Sequence, residues 1–308
     1  IGGIGMSALA RYFKREGKQV SGYDRTATAL TQNLEAEGIA IHFYDDVEKI
    51  PEAFLDQEST LVIYTPAVPK THSELQYFQQ NGFTVKKRSE ILGAIAENHF
   101  TIAVAGTHGK TTTSTIVAHL LQNSVVGCTA FLGGIAKNYN SNFIYSEKSN
   151  KLVAEADEYD RSFLKLFPDI AIITSMDADH LDIYESGSKL ENSFKEFAQN
   201  LKVNGSLIYK KGLPFEDFDK TSYSYSLTEK ADFHTTQIQA SGGKYVFDLT
   251  SPFGDLKELS MVYPGRHNVE NAVAAIAVAQ ILGVSEDEIR EGLSTFSGIK
   301  RRFDYQIN

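Results

Sequence analysis

Six consecutive residues, Gly106-Thr107-His108-Gly109-Lys110-Thr111, place two glycines, a lysine and a hydroxyl where an apolar stretch (101–105) gives way to a helical pattern. That combination suits a polyanion. Glycines let the backbone curl close to an anion so that several N–H groups converge on it, and a helix N-terminus adds positive potential. Lys110 can meet β- and γ-phosphates as a point charge, the Thr111 hydroxyl can ligate Mg²⁺, and Thr112 follows in the same turn. The GxxxxGK[ST] spacing is not met, because position 104 is Val. The order strand, glycine turn, Lys-Thr, helix still favours a nucleoside triphosphate over an ordinary turn with a solvated lysine.

Carboxylates follow two further strand-like runs. Residues 151–156 lead into Glu155-Ala156-Asp157-Glu158-Tyr159-Asp160, and 170–175 lead into Asp177-Ala178-Asp179-His180. One acidic cluster after a strand is usually a solvated loop. Two of them at the carboxyl ends of strands beside a phosphate loop point to magnesium, with His180 as a ligand or charge-bearing group.

A second glycine group, Gly2, Gly3 and Gly5 with Ser7, would complete GxGxxG only with a glycine before Ile1. Asp24 falls about 20 residues on, where a dinucleotide-binding fold keeps its ribose ligand. This leaves two ligands open: a nicotinamide dinucleotide, making the chain an oxidoreductase, or a nucleoside diphosphate such as a UDP-sugar.

The elements that must hold these groups alternate between helical and extended patterns. Residues 6–16, 29–37, 73–81 and 89–97 have helical spacing, with Gly17, Gly38 and Gly82 placed as C-terminal caps. Extended runs fall at 19–24, 39–43, 60–65 and 84–87, the third apolar enough for a buried parallel strand. The register restarts near residues 98–99. Beyond it come strand 101–105, the phosphate loop, a helix at 110–122, strands at 151–156 and 170–175, and a helix at 189–201. A hairpin at 237–249 turns at Gly242-Gly243. Helices at 268–281 and 287–296 follow, the last with Ser285 and Glu288 as a capping box. An α/β chain of parallel sheets is expected, with domains at 1–98 and 99–308. Both ends look cut: no strand precedes the first glycine loop, and no stop signal follows residue 300.

A net charge of −9 argues against a general nucleic-acid binder. No apolar run approaches the roughly 20 residues needed to span a bilayer. Cys128, the one cysteine, excludes an internal disulfide, fits a reducing compartment and reads as a small buried hydrophobe.

Taken in order, Gly2-Gly3-Ile4-Gly5-Met6-Ser7, Ala105-Gly106-Thr107-His108-Gly109-Lys110-Thr111-Thr112, Glu155-Ala156-Asp157-Glu158-Tyr159-Asp160, Asp177-Ala178-Asp179-His180-Leu181-Asp182 and Gly265-Arg266-His267-Asn268-Val269-Glu270-Asn271-Ala272 resemble the Mur ligases of peptidoglycan synthesis. The resemblance implies a Rossmann-like UDP-substrate domain, a P-loop ATPase domain with a small β-hairpin region, and a third domain that this chain lacks. It also implies ATP and Mg²⁺ as cofactors, cytoplasmic location, and a monomer or weak homodimer that contacts neither nucleic acid nor membrane. The motif wording is similar to the branch that joins L-alanine to the lactyl carboxylate of UDP-N-acetylmuramate through an acyl phosphate. Residues 1–308 alone are then expected to be inactive. A recycling ligase that adds a whole peptide to the same sugar, and a non-catalytic nucleotide-binding module, are the alternatives.

By position, the resemblance gives Lys110 to the γ-phosphate, Thr111 and Glu155 to magnesium with Glu158 a near neighbour, and His180 to a second magnesium. Asn268 and Asn271 would face adenine, the plainer reading being helix-start chemistry, and Arg302, less surely Arg301, would meet phosphate. Gly2, Gly3, Gly5 and Ser7 would face the UDP diphosphate. Gly133, Gly134 and Asn138 would lie near the muramoyl group. Lys195 lies at the distance from His180 where several relatives carry a carbamoylated lysine, but alignment on Phe194 and Phe197 shifts it out of register, so it reads as unmodified. Phe43-Tyr44 stands where the family often has Gly-His near uridine, with His42 one step earlier.

Overall fold

The computed structural model describes residues 1–159, 161–177 and 187–300. The chain folds as two compact units, Ile1–Ile95 and the part from Ala96 onward.

In the first unit, helix α1 (Ile4–Arg15) precedes β1 (Ser21–Tyr23), α2 (Ala29–Ala36) and β2 (Ala40–His42), and β1 pairs with β2 in parallel. Thr28 and Thr31 form a reciprocal capping box that starts α2. Gly38, at φ +80°, ends the same helical stretch in a conformation that favours glycine. Strands β3 (Leu61–Tyr64) and β4 (Thr84–Lys87) enclose α3 (Ser73–Gln80) and also pair in parallel. The parallel arrangement expected from the sequence therefore comes as two separate pairs. Expected burial fails at 60–65: Thr60 is buried, but Leu61 is 42% exposed. The run is apolar because Leu61, Ile63 and Tyr64 line a cavity of about 440 Å³ shared with Gly22 and Tyr23 of β1.

Helix α4 (Arg88–Glu97) leads to the second unit, built on one ten-stranded sheet. Its strands are β5 (Phe100–Ala105), β6 (Thr129–Ala136), β7 (Ser141–Ile144), β8 (Lys151–Glu155), β9 (Ile170–Ile173), β10 (Ser206–Lys210), β11 (Ser222–Ser226), β12 (Phe233–Ser241), β13 (Lys244–Thr250) and β14 (Leu256–Met261). Across the sheet they run β14-β13-β12-β11-β10-β9-β5-β8-β6-β7. The block from β12 back to β6 is parallel, with antiparallel strands at both ends. The β12–β13 hairpin turns at Gly242 and Gly243, both at positive φ, as a two-residue turn of this hand requires.

Alternation along the strands sorts the core into layers. Ile102, Val104, Ile170 and Ile172 join the buried cluster containing α5 (Lys110–Gln122), α7 (Arg266–Ile281) and α8 (Glu286–Thr295). Phe194 and Phe197 of α6 (Gly187–Gln199) pack instead on Phe163, outside that cluster. Helix α5 is buried from Thr111 to Leu121, so the phosphate loop is anchored by the middle of the core. Cys128 is fully buried, and burial pushes its thiol up to about 12, as suits an inert small hydrophobe.

His119 ties α5 to its neighbours, with Nδ1 2.8 Å from the Tyr139 hydroxyl and Nε2 3.0 Å from Thr295 Oγ1. Burial lowers its pKa from 6.5 to about 4, so the folded protein holds it neutral. A depressed pKa stabilises the fold fully above the unfolded value and loses that contribution as pH falls from about 6.5 towards 4, at most about 3 kcal/mol. Denaturant melts should show the second unit weakening over this window, and His119→Gln should flatten that dependence. A profile unchanged by the substitution would place the acid sensitivity elsewhere.

Candidate functional site

The site of the second unit sits where β5 ends between β8 and β9, so three parallel strands deliver their carboxyl ends side by side. Gly106, at φ +131°, leaves β5 against the end of β9. A Cβ there would stand 2.1 Å from Thr174 Oγ1 and 2.8 Å from the Ser175 backbone nitrogen. Gly109, at φ +84°, is the N-cap of α5 and offers no side-chain cap, which leaves the first N–H groups of the helix available to an anion.

Two residues absent from the sequence reading brace this loop. Ser175 Oγ accepts from the His108 backbone N–H at 2.8 Å and lies 2.8 Å from Thr107 Oγ1. Thr174 donates its hydroxyl to the His108 carbonyl. Asp177 N–H also donates to Thr107 Oγ1. The sequence hid these residues in plain view, since Thr174 and Ser175 read as the tail of a β-branched strand. His108 itself points outward, 70% exposed, with Nε2 3.8 Å from Asp177.

The lysine is held as well. Lys110 Nζ donates to the Gly106 carbonyl at 2.7 Å and to Glu158 at 2.8 Å. Thr111 Oγ1 donates to Glu155 Oε1 at 3.2 Å, so the hydroxyl and carboxylate assigned to magnesium meet across α5 and β8. Their separation is close to the ~3 Å between adjacent oxygens of an octahedron with ~2.1 Å bonds, and the all-oxygen donor set suits Mg²⁺. Glu155 fits there because β6 has glycine opposite it. A Cβ on Gly133 would stand 2.0 Å from Glu155 Oε2, while Gly134 packs near Thr111 Cγ2 and Ile299.

Thr112 is buried in the first turn of α5. Asn271 Oδ1 lies 2.7 Å from where a Cβ on Gly109 would stand, which brings the start of α7 to the loop. Asn268 is buried and donates its amide to the Pro264 carbonyl, the helix-start chemistry of the plainer reading. The Asn138 amide donates to the Thr295 carbonyl and its oxygen accepts from Ser297 N–H, so it joins the end of α8 to the β6–β7 connection. Lys195 pairs with Glu191 on the surface of α6 at 2.7 Å. Asp160, Asp179, His180, Arg301 and Arg302 lie outside the described residues.

In the first unit, Asp24 Oδ2 accepts from Gly2 N–H at 2.7 Å and its other oxygen from Thr26 N–H at 3.0 Å. A Cβ on Gly2 would strike Thr31 and Asp24, whereas Gly3 faces open space. Ser7 is buried, and its hydroxyl donates to the Ile4 carbonyl at 3.0 Å, so it turns inward from the open side of the loop. Arg88, unread from the sequence, lies over Gly5: its Nη1 is 3.0 Å from a Cβ placed there. His42, at the end of β2, pairs through Nε2 with Glu74 at 2.8 Å.

Residues 1–100 match the family model described as Mur ligase family, catalytic domain, and residues 104–279 match the Mur ligase middle domain. The chain belongs to the Mur ligase family. The UDP-N-acetylmuramate–L-alanine ligase of Phocaeicola vulgatus is 48% identical over 99% of this chain and 67% of its own length. The ligase of the same name from Flavobacterium psychrophilum is 50% identical, over 100% and 67%. Among solved structures, the UDP-N-acetylmuramate-alanine ligase of Thermotoga maritima superposes with a TM-score of 0.85 at 27% identity, covering 100% of this chain and 70% of that one. Membership in the family sets aside the dehydrogenase reading of the glycine loop and makes ATP the triphosphate the chain uses. Among the described residues, no helix is long and apolar enough to cross a membrane.

Proposed function

We propose that this chain joins L-alanine to the lactyl carboxylate of UDP-N-acetylmuramate at the expense of ATP, a step in making cell-wall precursors. The observation that carries the reading is identity near one half, along the whole chain, to ligases of that name. The same identity favours L-alanine over a whole peptide as the amine.

The unit from Ala96 onward takes ATP on the Gly106–Thr111 loop. Thr111 and Glu155 would hold Mg²⁺, which supplies charge neutralisation on the phosphate oxygens when bound. Lys110 meets charge on the γ-phosphoryl group as the lactyl carboxylate attacks it, giving an acyl phosphate and ADP. The alanine amine then attacks the acyl carbon and phosphate leaves. His180 and Arg302 keep the roles the resemblance gives them, a second magnesium and a phosphate contact. The reaction takes place in the cytoplasm, where both nucleotides are supplied.

The unit Ile1–Ile95 takes the UDP moiety at the glycine loop, with Arg88 supplying a cation beside Gly5. Arg88→Ala should raise KM for the UDP-sugar about tenfold, the scale of one charge-assisted hydrogen bond, with little change in ATP affinity. Equal losses for both ligands would remove Arg88 from this role.

Phosphate release in the natural protein should require ATP, Mg²⁺, UDP-N-acetylmuramate and L-alanine together. Turnover at the full rate without the sugar would overturn the assignment. The relatives extend over a further third of their length, so a polypeptide limited to residues 1–308 is expected to bind both nucleotides but ligate little.

A further inference from the structure

Two carboxylates of one acidic motif, three residues apart, face different partners. Glu155 meets Thr111, whereas Glu158 is fully buried and pairs with Lys110. We propose that Glu158 is a positioning residue for Lys110: with the Gly106 carbonyl it occupies two of the three ammonium N–H groups and leaves the third for the γ-phosphate. The identity of the phosphoryl acceptor here rests on the ligase reading above; the arrangement of the ammonium does not.

The geometry supports this in three ways. The lysine stem folds back across its own loop, and its two acceptors come from different places, the loop backbone at 2.7 Å and the segment after β8 at 2.8 Å. An ammonium held by two fixed acceptors cannot sweep through rotamers, so its remaining donor is set before the substrate arrives. Gly106, at φ +131°, turns its carbonyl through a backbone conformation rare for other residues, and this aims one acceptor. Glu158 is 0% exposed, so swinging away from the lysine would leave a carboxylate buried without its counter-charge. The pair therefore stays closed as the phosphate binds, and the lysine bridges carboxylate and phosphate.

A negative charge beside a triphosphate does not favour ground-state binding. Glu158 should thus act on the chemical step more than on ATP affinity, and it should matter to ATP affinity chiefly when Lys110 is gone. The test is a double-mutant cycle in the natural protein with K110M, E158Q and both changes. Calorimetry with Mg-ATP alone should show K110M costing at least about tenfold more affinity when Glu158 is present than in the E158Q background. In steady state, E158Q should lower kcat by about 10- to 100-fold while KM for ATP stays within about threefold. Equal affinity losses in both backgrounds, or an E158Q kcat within about twofold of wild type, would overturn the proposal. If E158Q does not fold, E158D serves: it keeps the charge but retracts it by one methylene, and it should lower kcat about tenfold with ATP affinity preserved. If the wild-type protein shows no turnover with the sugar and L-alanine, the ligase reading fails, and the calorimetric cycle still decides the pairing.

Discussion

Lys110→Ala is expected to lower the turnover number by about 10²–10³, the scale of removing one prearranged charge-stabilising donor from a transition state. The ammonium is held at the loop by two acceptors of its own, the Gly106 carbonyl and Glu158, and truncation to alanine removes that donor outright. The variant should also lose stability. Glu158 would be left buried without its partner, and breaking a buried pair from one side costs about 3–5 kcal/mol. The cost should fall towards the lower figure, because Lys110 is 14% exposed and water can reach the gap. The two effects separate in Lys110→Ala combined with Glu158→Gln: stability should recover in denaturant melts, whereas phosphate release should not. Lys110→Arg should also fail to restore turnover, since a planar guanidinium cannot reproduce a compact ammonium shared between Gly106 O and Glu158. More than a tenth of wild-type turnover in Lys110→Ala would show that the loop acts through its backbone alone.

Much of this site was legible before any coordinates because the chemistry is local in sequence. Gly106, Gly109, Lys110 and Thr111 lie within one turn, and strand-loop-helix order is enough to aim them. Glu155 was legible because it ends an apolar strand. Glu158 was seen only as a rival to Glu155; no periodicity says that a carboxylate three residues beyond a strand will be buried on a lysine 48 positions earlier. Thr174 and Ser175 were misplaced for a related reason. Their hydroxyls act across β9 and β5, and β-branched or small residues at a strand end look the same whether or not they brace a loop. Among the elements, α7 and α8 were plain from helical spacing and caps. β6, β7, β10, β11 and β14 were not anticipated: glycines interrupt β6, polar residues blur the alternation in β7, β10 and β14, and β11, although Ser222-Tyr223-Ser224-Tyr225-Ser226 alternates strictly, is only five residues long.

Gly133 shows how a residue with no side chain can control the site, and Gly133→Ala should separate activity from stability. A Cβ at this position would stand 2.0 Å from Glu155 Oε2, 2.6 Å from its Cδ and 2.8 Å from Oε1. All three atoms belong to the end of a flexible side chain, so the backbone of β6 need not move and the melting temperature should change by only a few degrees. Glu155, however, must leave its place beside Thr111 Oγ1, taking with it the carboxylate proposed above to complete the magnesium donor pair. The expected result is an increase of about 10- to 100-fold in the Mg²⁺ concentration needed for half-maximal turnover, the usual scale for disturbing a group that orients a metal ligand. Saturating magnesium should recover part of the rate, because Thr111 and the loop are untouched. Gly134→Ala gives the contrast: its Cβ would meet Ile299 Cγ2 at 2.8 Å and Thr111 Cγ2 at 3.2 Å, apolar atoms on both sides. That variant should lose thermal stability through crowding and show a smaller shift in magnesium dependence. If the two substitutions gave the same magnesium profile, the carboxylate's position beside β6 would not be what sets metal binding.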